Sequence, residues 1–143
     1  MKSIIRLFQL NFLPRSIDFA LLILRVWLGL TMAVNHGWGK LVNFGDMATK
    51  FADPLGVGPT VSLSLAVFAE VVCAVLLALG LFTRFAAVVL TVLMAVAFFV
   101  AHDAKLSGPG NGEVAFLFLA GFVAIFFAGP GRFSIDRKLG AAA

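Results

Sequence analysis

The chain lacks most of the residues from which redox centres and metal sites are built. Its 143 residues include one cysteine and two histidines, and a lone Cys73 excludes an internal disulfide or a CxxC redox pair. A glycine-rich nucleotide-binding motif and the cysteine spacing of an iron–sulfur protein are also missing. The sequence therefore predicts no metal site and no catalytic cofactor motif, and it leaves open whether the protein is an enzyme.

Charged residues are scarce as well. They make up 13% of the chain and only seven are acidic, whereas hydrophobic residues reach 62% and the mean hydropathy is +1.06. Soluble domains carry roughly 25% charged residues, so this composition excludes a soluble protein and makes the lipid bilayer the first partner. No other sequence feature accompanies the net charge of +4 to indicate nucleic-acid binding, and we predict no nucleic-acid partner.

Four apolar segments are long enough to cross a membrane, since a helix needs roughly 20 apolar residues for about 30 Å of hydrocarbon. They cover about residues 18–39, 60–82, 84–102 and 113–129. Short connections rich in glycine and proline join them. We predict an all-α integral membrane protein: one domain over residues 1–143, folded as an up-down bundle of four transmembrane helices. Before Pro14 we expect either a short interfacial helix or a disordered tail rather than a cleaved signal peptide.

Lysine and arginine indicate the orientation, because cytoplasmic pieces between spans carry the excess. With four spans both termini share one side. That side holds seven basic residues: Lys2, Arg6, Arg15, Arg84, Arg132, Arg137 and Lys138. The opposite side holds three: Lys40, Lys50 and Lys105. We therefore predict a multi-pass protein with N- and C-termini in the cytoplasm.

Two charges lie inside the apolar segments. Arg25 falls between Phe19 and Trp38, and Glu70 is the only acid in the interior of a span. On antiparallel helices they would lie roughly 12 and 18 Å from the cytoplasmic edge, a difference that an arginine side chain can bridge. We predict an intramembrane polar pair of Arg25 and Glu70. Such a pair either lines a cavity that binds an amphipathic ligand or relays protons, or it only specifies helix register.

A second polar group is predicted at the outer mouth, where His36, Lys40, His102 and Asp103 fall at the ends of two spans. The simplest interpretation is that these side chains meet interfacial water. Alternatives are a hydrogen bond to a quinone carbonyl, ligation of a metal, or a bis-histidine haem, which would need both imidazoles at matched depth.

The cytoplasmic side carries a third group, formed by Arg84 in the second connection and by Arg132, Asp136 and Arg137 after the last span. Glycine and proline end that span, and arginines at this level bind anionic headgroups. We predict a cytoplasmic anchor, with a functional cap or a plain turn as alternatives.

Several of these motifs together resemble one family. They are LRVWLGLTMAVNHGWGKL (Leu24–Leu41), Glu70, GLFTR (Gly80–Arg84), His102 and GPGRFSIDR (Gly129–Arg137). In this order the motifs resemble those of the DoxX family of small bacterial membrane proteins, and the resemblance extends over nearly the whole chain. The resemblance implies four transmembrane helices in the bacterial inner membrane. It also implies a link to quinones, since the family is named after a membrane subunit of a thiosulfate:quinone oxidoreductase. The resemblance does not assign a catalytic role to any residue.

Three functions remain open from the sequence. The first is a membrane subunit that binds a quinone between its helices and assists a redox partner protein, with no required cofactor of its own. The sequence leaves open whether this subunit forms a homo-oligomer. The alternative is a non-catalytic membrane scaffold or a protein that passes a small solute. A haem or metal enzyme acting alone is the third and weakest option.

Overall fold

A computed structural model describes residues 16–140 together with Phe8 and Leu10. The interfacial segment predicted before Pro14 lies outside the described residues apart from these two. The described residues form helices and no strand. The helices are α1 (Ile17–Val42), α2 (Phe44–Met47), α3 (Pro59–Leu79), α4 (Thr83–Ala101), α5 (Glu113–Ala128) and α6 (Ile135–Lys138).

Local sequence accounts for the ends of these helices. Ser16 caps α1 by accepting a hydrogen bond from the amide of Phe19 at 3.2 Å. Pro59 occupies the first turn of α3, where its missing N–H is not needed. Gly129, with φ of +79°, ends α5, and this left-handed conformation suits glycine.

Each of the three longest helices contains one π-helical segment. These segments are Met32–Gly37 in α1, Phe68–Cys73 in α3 and Val96–Ala101 in α4. π-Helical turns are rare and occur frequently at functional sites. The first contains His36, the second contains Glu70 and the third is followed directly by His102. The irregular backbone thus falls where the sequence places polar side chains.

Helices α1 and α3 pack closely and run antiparallel. Gly37 in α1 lies against Glu70 and Val71, whereas Gly29 lies against Ala74 and Ala78 further along α3. Small residues allow this approach, which matters because lipid provides no hydrophobic force between helices.

Helix α5 packs along α4 and completes the core. Phe122 and Ile125 of α5 are fully buried, as are Ala86, Ala87 and Leu90 of α4. Cys73 of α3 is a free cysteine in the same core. Many large apolar side chains elsewhere on the helices are exposed, as expected for surfaces that face lipid.

Three of the predicted spans are confirmed as helices long and apolar enough to cross a membrane: α1 with 26 residues, α3 with 21 and α4 with 19. The fourth segment forms an apolar helix of 16 residues. Its length is about 24 Å at 1.5 Å per residue, which is shorter than the hydrocarbon core.

Candidate functional site

A partly buried ion pair joins α1 to α3. The ammonium of Lys40 donates to Oε2 of Glu70 at 2.5 Å, and their side chains are 20% and 8% exposed. Lys40 also donates to the backbone carbonyl of His36 at 3.1 Å, one turn earlier in α1. Charges within apolar helices are expensive and mark function by default.

Close backbone packing makes this pair possible. A Cβ on Gly37 would lie 2.8 Å from the carbonyl oxygen of Glu70 and 2.7 Å from Val71. Only a residue without a side chain permits that approach. Because Lys40 follows Gly37 by about one turn and its side chain points back toward the helix N-terminus, its ammonium reaches Glu70.

The prediction that Arg25 pairs with Glu70 is wrong within this chain. Arg25 lies level with Ala78, to whose carbonyl its Nη1 donates at 3.3 Å, while Glu70 lies level with Gly37. These two levels are eight residues apart on α3, or about 12 Å of rise, which an arginine side chain does not cross. The error came from the depth estimates, which placed both residues near the middle of the membrane.

An apolar pocket of about 550 Å³ opens beside the ion pair. Lys40 and Glu70 form its charged wall, and the other walls are mostly apolar residues of α3 and α4: Leu65, Ala66, Ala69, Val89, Val92, Leu93 and Ala97. Leu65 and Val92 are more than half exposed, so the pocket opens on the side where lipid would lie. We call it the Lys40–Glu70 pocket.

The connection before α3 covers one side of this pocket, with Phe51 and Leu55 among the lining residues. Asp53 holds that connection in place. Its carboxylate accepts hydrogen bonds from the amides of Val57 and Gly58 at 3.0 and 2.7 Å and from the hydroxyl of Ser62 at 2.7 Å. These bonds, that of Ser62 above all, lower the pKa of Asp53 below its ordinary value.

Asp53 is not among the site residues predicted from the sequence, although the sequence contains a signal for it. Aspartate before a proline and a glycine-rich stretch is typical of a turn in which the carboxylate bonds to backbone amides a few residues on. The sequence also gave no reason to join Lys40 to Glu70 rather than to interfacial water.

The four residues of the predicted outer mouth take separate partners. The ring of His36 packs edge-on against Phe118 of α5, with centroids 5.6 Å apart. Nδ1 of His102 bonds to the carbonyl of Gly110 at 2.8 Å. The exposed Asp103 pairs with Lys105 at 3.2 Å. Of these four residues only Lys40 lines the pocket, and the carbonyl of His36 binds the Lys40 ammonium.

Arg25 ties the C-terminal segment to the bundle. Its side chain is 1% exposed, and Nη2 donates to the carbonyl of Phe133. Gly80 leaves the necessary space, because a Cβ there would overlap Nη1 of Arg25. We call residues 129–138 the C-terminal clasp.

Asp136 is the centre of this clasp. Its carboxylate accepts the amides of Phe82 and Thr83 at 2.8 and 2.9 Å, so it caps the start of α4. Burial raises the pKa of the Asp136 carboxyl, but the amides of Thr83 and Phe82 and the charge of Arg25 outweigh burial and hold that pKa below its ordinary value. Asp136 is 8% exposed, so the structure corrects its assignment as an anchor.

The three predicted anchor arginines gather at a crevice of about 560 Å³. Arg84, Arg132 and Arg137 line it together with Asp18 and Asp136. The backbone amide of Arg132 donates to Oδ1 of Asp18 at 2.8 Å, which joins the clasp to the start of α1. We call this the arginine crevice.

Among the described residues no three His, Cys, Asp or Glu side chains come together. The described residues thus define an all-helical membrane protein in which the partly buried Lys40–Glu70 pair lies beside an apolar pocket.

Comparison with known proteins gives the family. The DoxX family model matches residues 20–103, a range that contains every residue lining the Lys40–Glu70 pocket. An uncharacterized protein of Haemophilus influenzae is 35% identical over 119 residues, which cover 75% of this chain and 81% of the relative. No solved structure matches the chain. The chain belongs to the DoxX family, and the resemblance predicted from its motifs is confirmed.

Proposed function

We propose that this DoxX protein is a membrane subunit that binds a quinone, or a similar apolar ring with a carbonyl group, in the Lys40–Glu70 pocket and assists a redox partner protein. The observation that carries the proposal is the ion pair of Lys40 and Glu70 in the wall of an otherwise apolar pocket of about 550 Å³. Small-molecule sites usually measure about 300–1,000 Å³ and combine apolar walls with few polar groups.

The two charged groups suit the two forms of such a ligand. The ammonium of Lys40 is a donor for a carbonyl oxygen, and the carboxylate of Glu70 is an acceptor for a hydroxyl. An apolar ring would contact the side chains of Ala69, Val89 and Ala97. Since Leu65 and Val92 open toward the lipid side, a lipophilic ligand would enter from the bilayer.

The proposed topology is the up-down bundle of four transmembrane helices, with α5 as the fourth span in the bacterial inner membrane and both termini in the cytoplasm. The close packing of α5 on α4 and its apolar sequence support this role. A span shorter than the hydrocarbon is accommodated by local thinning of the bilayer or by flanking side chains. Reporter fusions at residue 143 and in the 103–112 connection test the orientation, and a periplasmic C-terminus would contradict it.

The alternative is a non-catalytic membrane scaffold or a solute-passage protein. One observation favours it: Lys40 and Glu70 join α1 and α3 beside the close packing of these helices at Gly37. The ion pair would then serve only to fix helix register.

Ligand retention separates the two proposals. The protein is purified gently from its own membrane and its bound lipids are identified by native mass spectrometry. The double variant Lys40→Gln/Glu70→Gln removes both charges and leaves neither unpaired, and Ala97→Phe fills the pocket. We expect both variants to lose a quinone that copurifies with the wild type.

Two matched controls complete the experiment. Val100→Phe adds the same ring at an exposed position of α4 outside the pocket, and Glu113→Gln removes an exposed acid at the start of α5. Both should keep the quinone. If no quinone copurifies and none binds on titration of a short-tailed quinone, the scaffold or solute-passage function replaces this proposal.

A further inference from the structure

Arg84 and Arg132 are two of the residues that line the arginine crevice. Within residues 16–140 no acceptor binds the guanidinium of Arg84 or of Arg132. Both residues are exposed, and both line a cavity of about 560 Å³. Two exposed arginines thus line a cavity large enough for a small-molecule ligand.

The acidic residues of the crevice are occupied. Both oxygens of Asp136 accept backbone amides at the start of α4, and Asp136 also faces Arg25. Oδ1 of Asp18 accepts the backbone amide of Arg132. Three arginines against two aspartates leave the described lining of the crevice with a net positive charge, so its ligand should be an anion.

The position of the crevice indicates which anion. Helices α1 and α4 begin there and α5 ends there, so the crevice lies at the end of the membrane helices, at headgroup depth. Phe82 and Phe85 stand on its wall and are 63% and 56% exposed. Exposed apolar rings at the end of membrane helices lie where the hydrocarbon core begins, within reach of acyl chains.

We propose that the arginine crevice binds the phosphate of an anionic lipid, with the acyl chains against Phe82 and Phe85. The planar fork of arginine binds phosphate oxygens in pairs, and basic pockets at the ends of membrane helices bind anionic headgroups. A soluble phosphate compound shares the phosphate chemistry but gains nothing from the aromatic wall.

The test measures lipid binding to the full chain by native mass spectrometry. Phosphatidylglycerol and phosphatidylcholine with the same acyl chains are added in turn. We expect the wild type to prefer phosphatidylglycerol and Arg84→Gln/Arg132→Gln to lose roughly 30-fold in affinity for it, at about 1 kcal/mol for each arginine.

The matched control removes two exposed charges from the opposite end of the bundle, Lys50→Gln/Lys105→Gln, and should change that affinity by less than about threefold. Arg84→Lys keeps the charge but loses the fork, so its affinity should fall between those of the wild type and the double variant. Circular dichroism and elution volume verify that each variant is folded.

Three outcomes overturn the proposal. Equal losses in the two double variants would show diffuse surface charge, and wild-type affinity in Arg84→Lys would show that the fork is not used. Displacement of phosphatidylglycerol by inorganic phosphate alone at low millimolar concentration would assign the crevice to a soluble ligand. Since none of these variants touches the Lys40–Glu70 pocket, quinone retention reports on that pocket separately.

Discussion

The guanidinium of Arg25 donates to the backbone carbonyl of Phe133, 108 residues further along the chain. The charge inside the first span is thus held by main-chain carbonyls, since Ala78 provides a second acceptor. Arginine side chains in α-helices point toward the N-terminus, which brings this guanidinium to the end of the bundle where the C-terminal clasp lies. The contact makes the last part of the chain a component of the fold.

Replacing Arg25 should release the clasp. In Arg25→Gln the carbonyls of Phe133 and Ala78 lose a charged donor, and hydrogen bonds to charged groups contribute about 1.5–3 kcal/mol each. In the wild type the amide of Asp136 donates to the carbonyl of Gly80 at 2.9 Å, and in the variant hydrogen exchange at this amide should become faster. Arg132→Gln, an exposed change in the same clasp, is the control. Unchanged exchange in Arg25→Gln would contradict the role of Arg25.

Gly80→Ala should destabilise the same junction for two reasons. The residue has φ of +70°, and a Cβ would overlap the Arg25 guanidinium. Gly56→Ala separates the two effects, since Gly56 has φ of +69° and no atom lies within 4 Å of its Cβ position. Thermal unfolding in detergent should show a loss of about 1–2 kcal/mol for Gly56→Ala and a clearly larger loss for Gly80→Ala. Equal losses would mean that Arg25 moves aside freely.

Gly37→Ala should force α1 away from α3. Its Cβ would lie 2.8 Å from the Glu70 carbonyl oxygen, and overpacking of this kind destabilises by about 1–3 kcal/mol. Gly39→Ala, two residues on and with nothing within 4 Å, should instead stabilise by about 0.5–1 kcal/mol, because alanine favours the helix. The measurement is denaturant unfolding of both variants, and a quinone bound at Lys40 and Glu70 should be weakened only in Gly37→Ala. Opposite signs for the pair are the expected result, and equal signs would contradict the packing of α1 on α3.

The lowered pKa of the Asp136 carboxyl indicates how the stability of the fold should depend on pH. Its pKa is lower in the folded protein than its ordinary value, which is about 3.9 in unfolded chains. Its contribution to stability is therefore present above that pH and is lost as the pH falls through the folded-state pKa. We expect the free energy of unfolding of the wild type to decrease on acidification below about pH 4.

Asp136→Asn should lower stability at neutral pH and weaken this acid dependence. Some dependence should remain, because the pKa of Asp53 is also lowered. Asp46→Asn, an exposed change on α2, should keep the wild-type slope. Unfolding curves from pH 3 to 7 measure all three proteins, and an unaltered slope in Asp136→Asn would refute the capping role.

The helices and the membrane class could be predicted because they depend on local composition. Runs of apolar residues as long as those of α1, α3 and α4 can satisfy their backbone polar groups in lipid only as helices, wherever they lie in the fold. The family could be predicted as well, since its motifs occur in order along the chain.

The partners of the charged residues could not be predicted in the same way. Depth estimates from the two helix ends placed Arg25 and Glu70 within reach of each other, but the packing of Gly37 on Glu70 set the relative shift of α1 and α3. Because of that shift Lys40 forms the ion pair with Glu70, and Arg25 lies level with Ala78. The other acceptor for Arg25 is the backbone carbonyl of Phe133, a residue that no local sequence pattern connects to the first span.

The sequence by itself thus determined an all-helical membrane protein of the DoxX family, because hydrophobic length and motif order are properties of the chain read in one dimension. Only the tertiary structure decided which charges meet and where cavities open beside them. Those outcomes depend on contacts of a few ångströms between residues distant in sequence, such as Gly37 with Glu70 and Gly80 with Arg25.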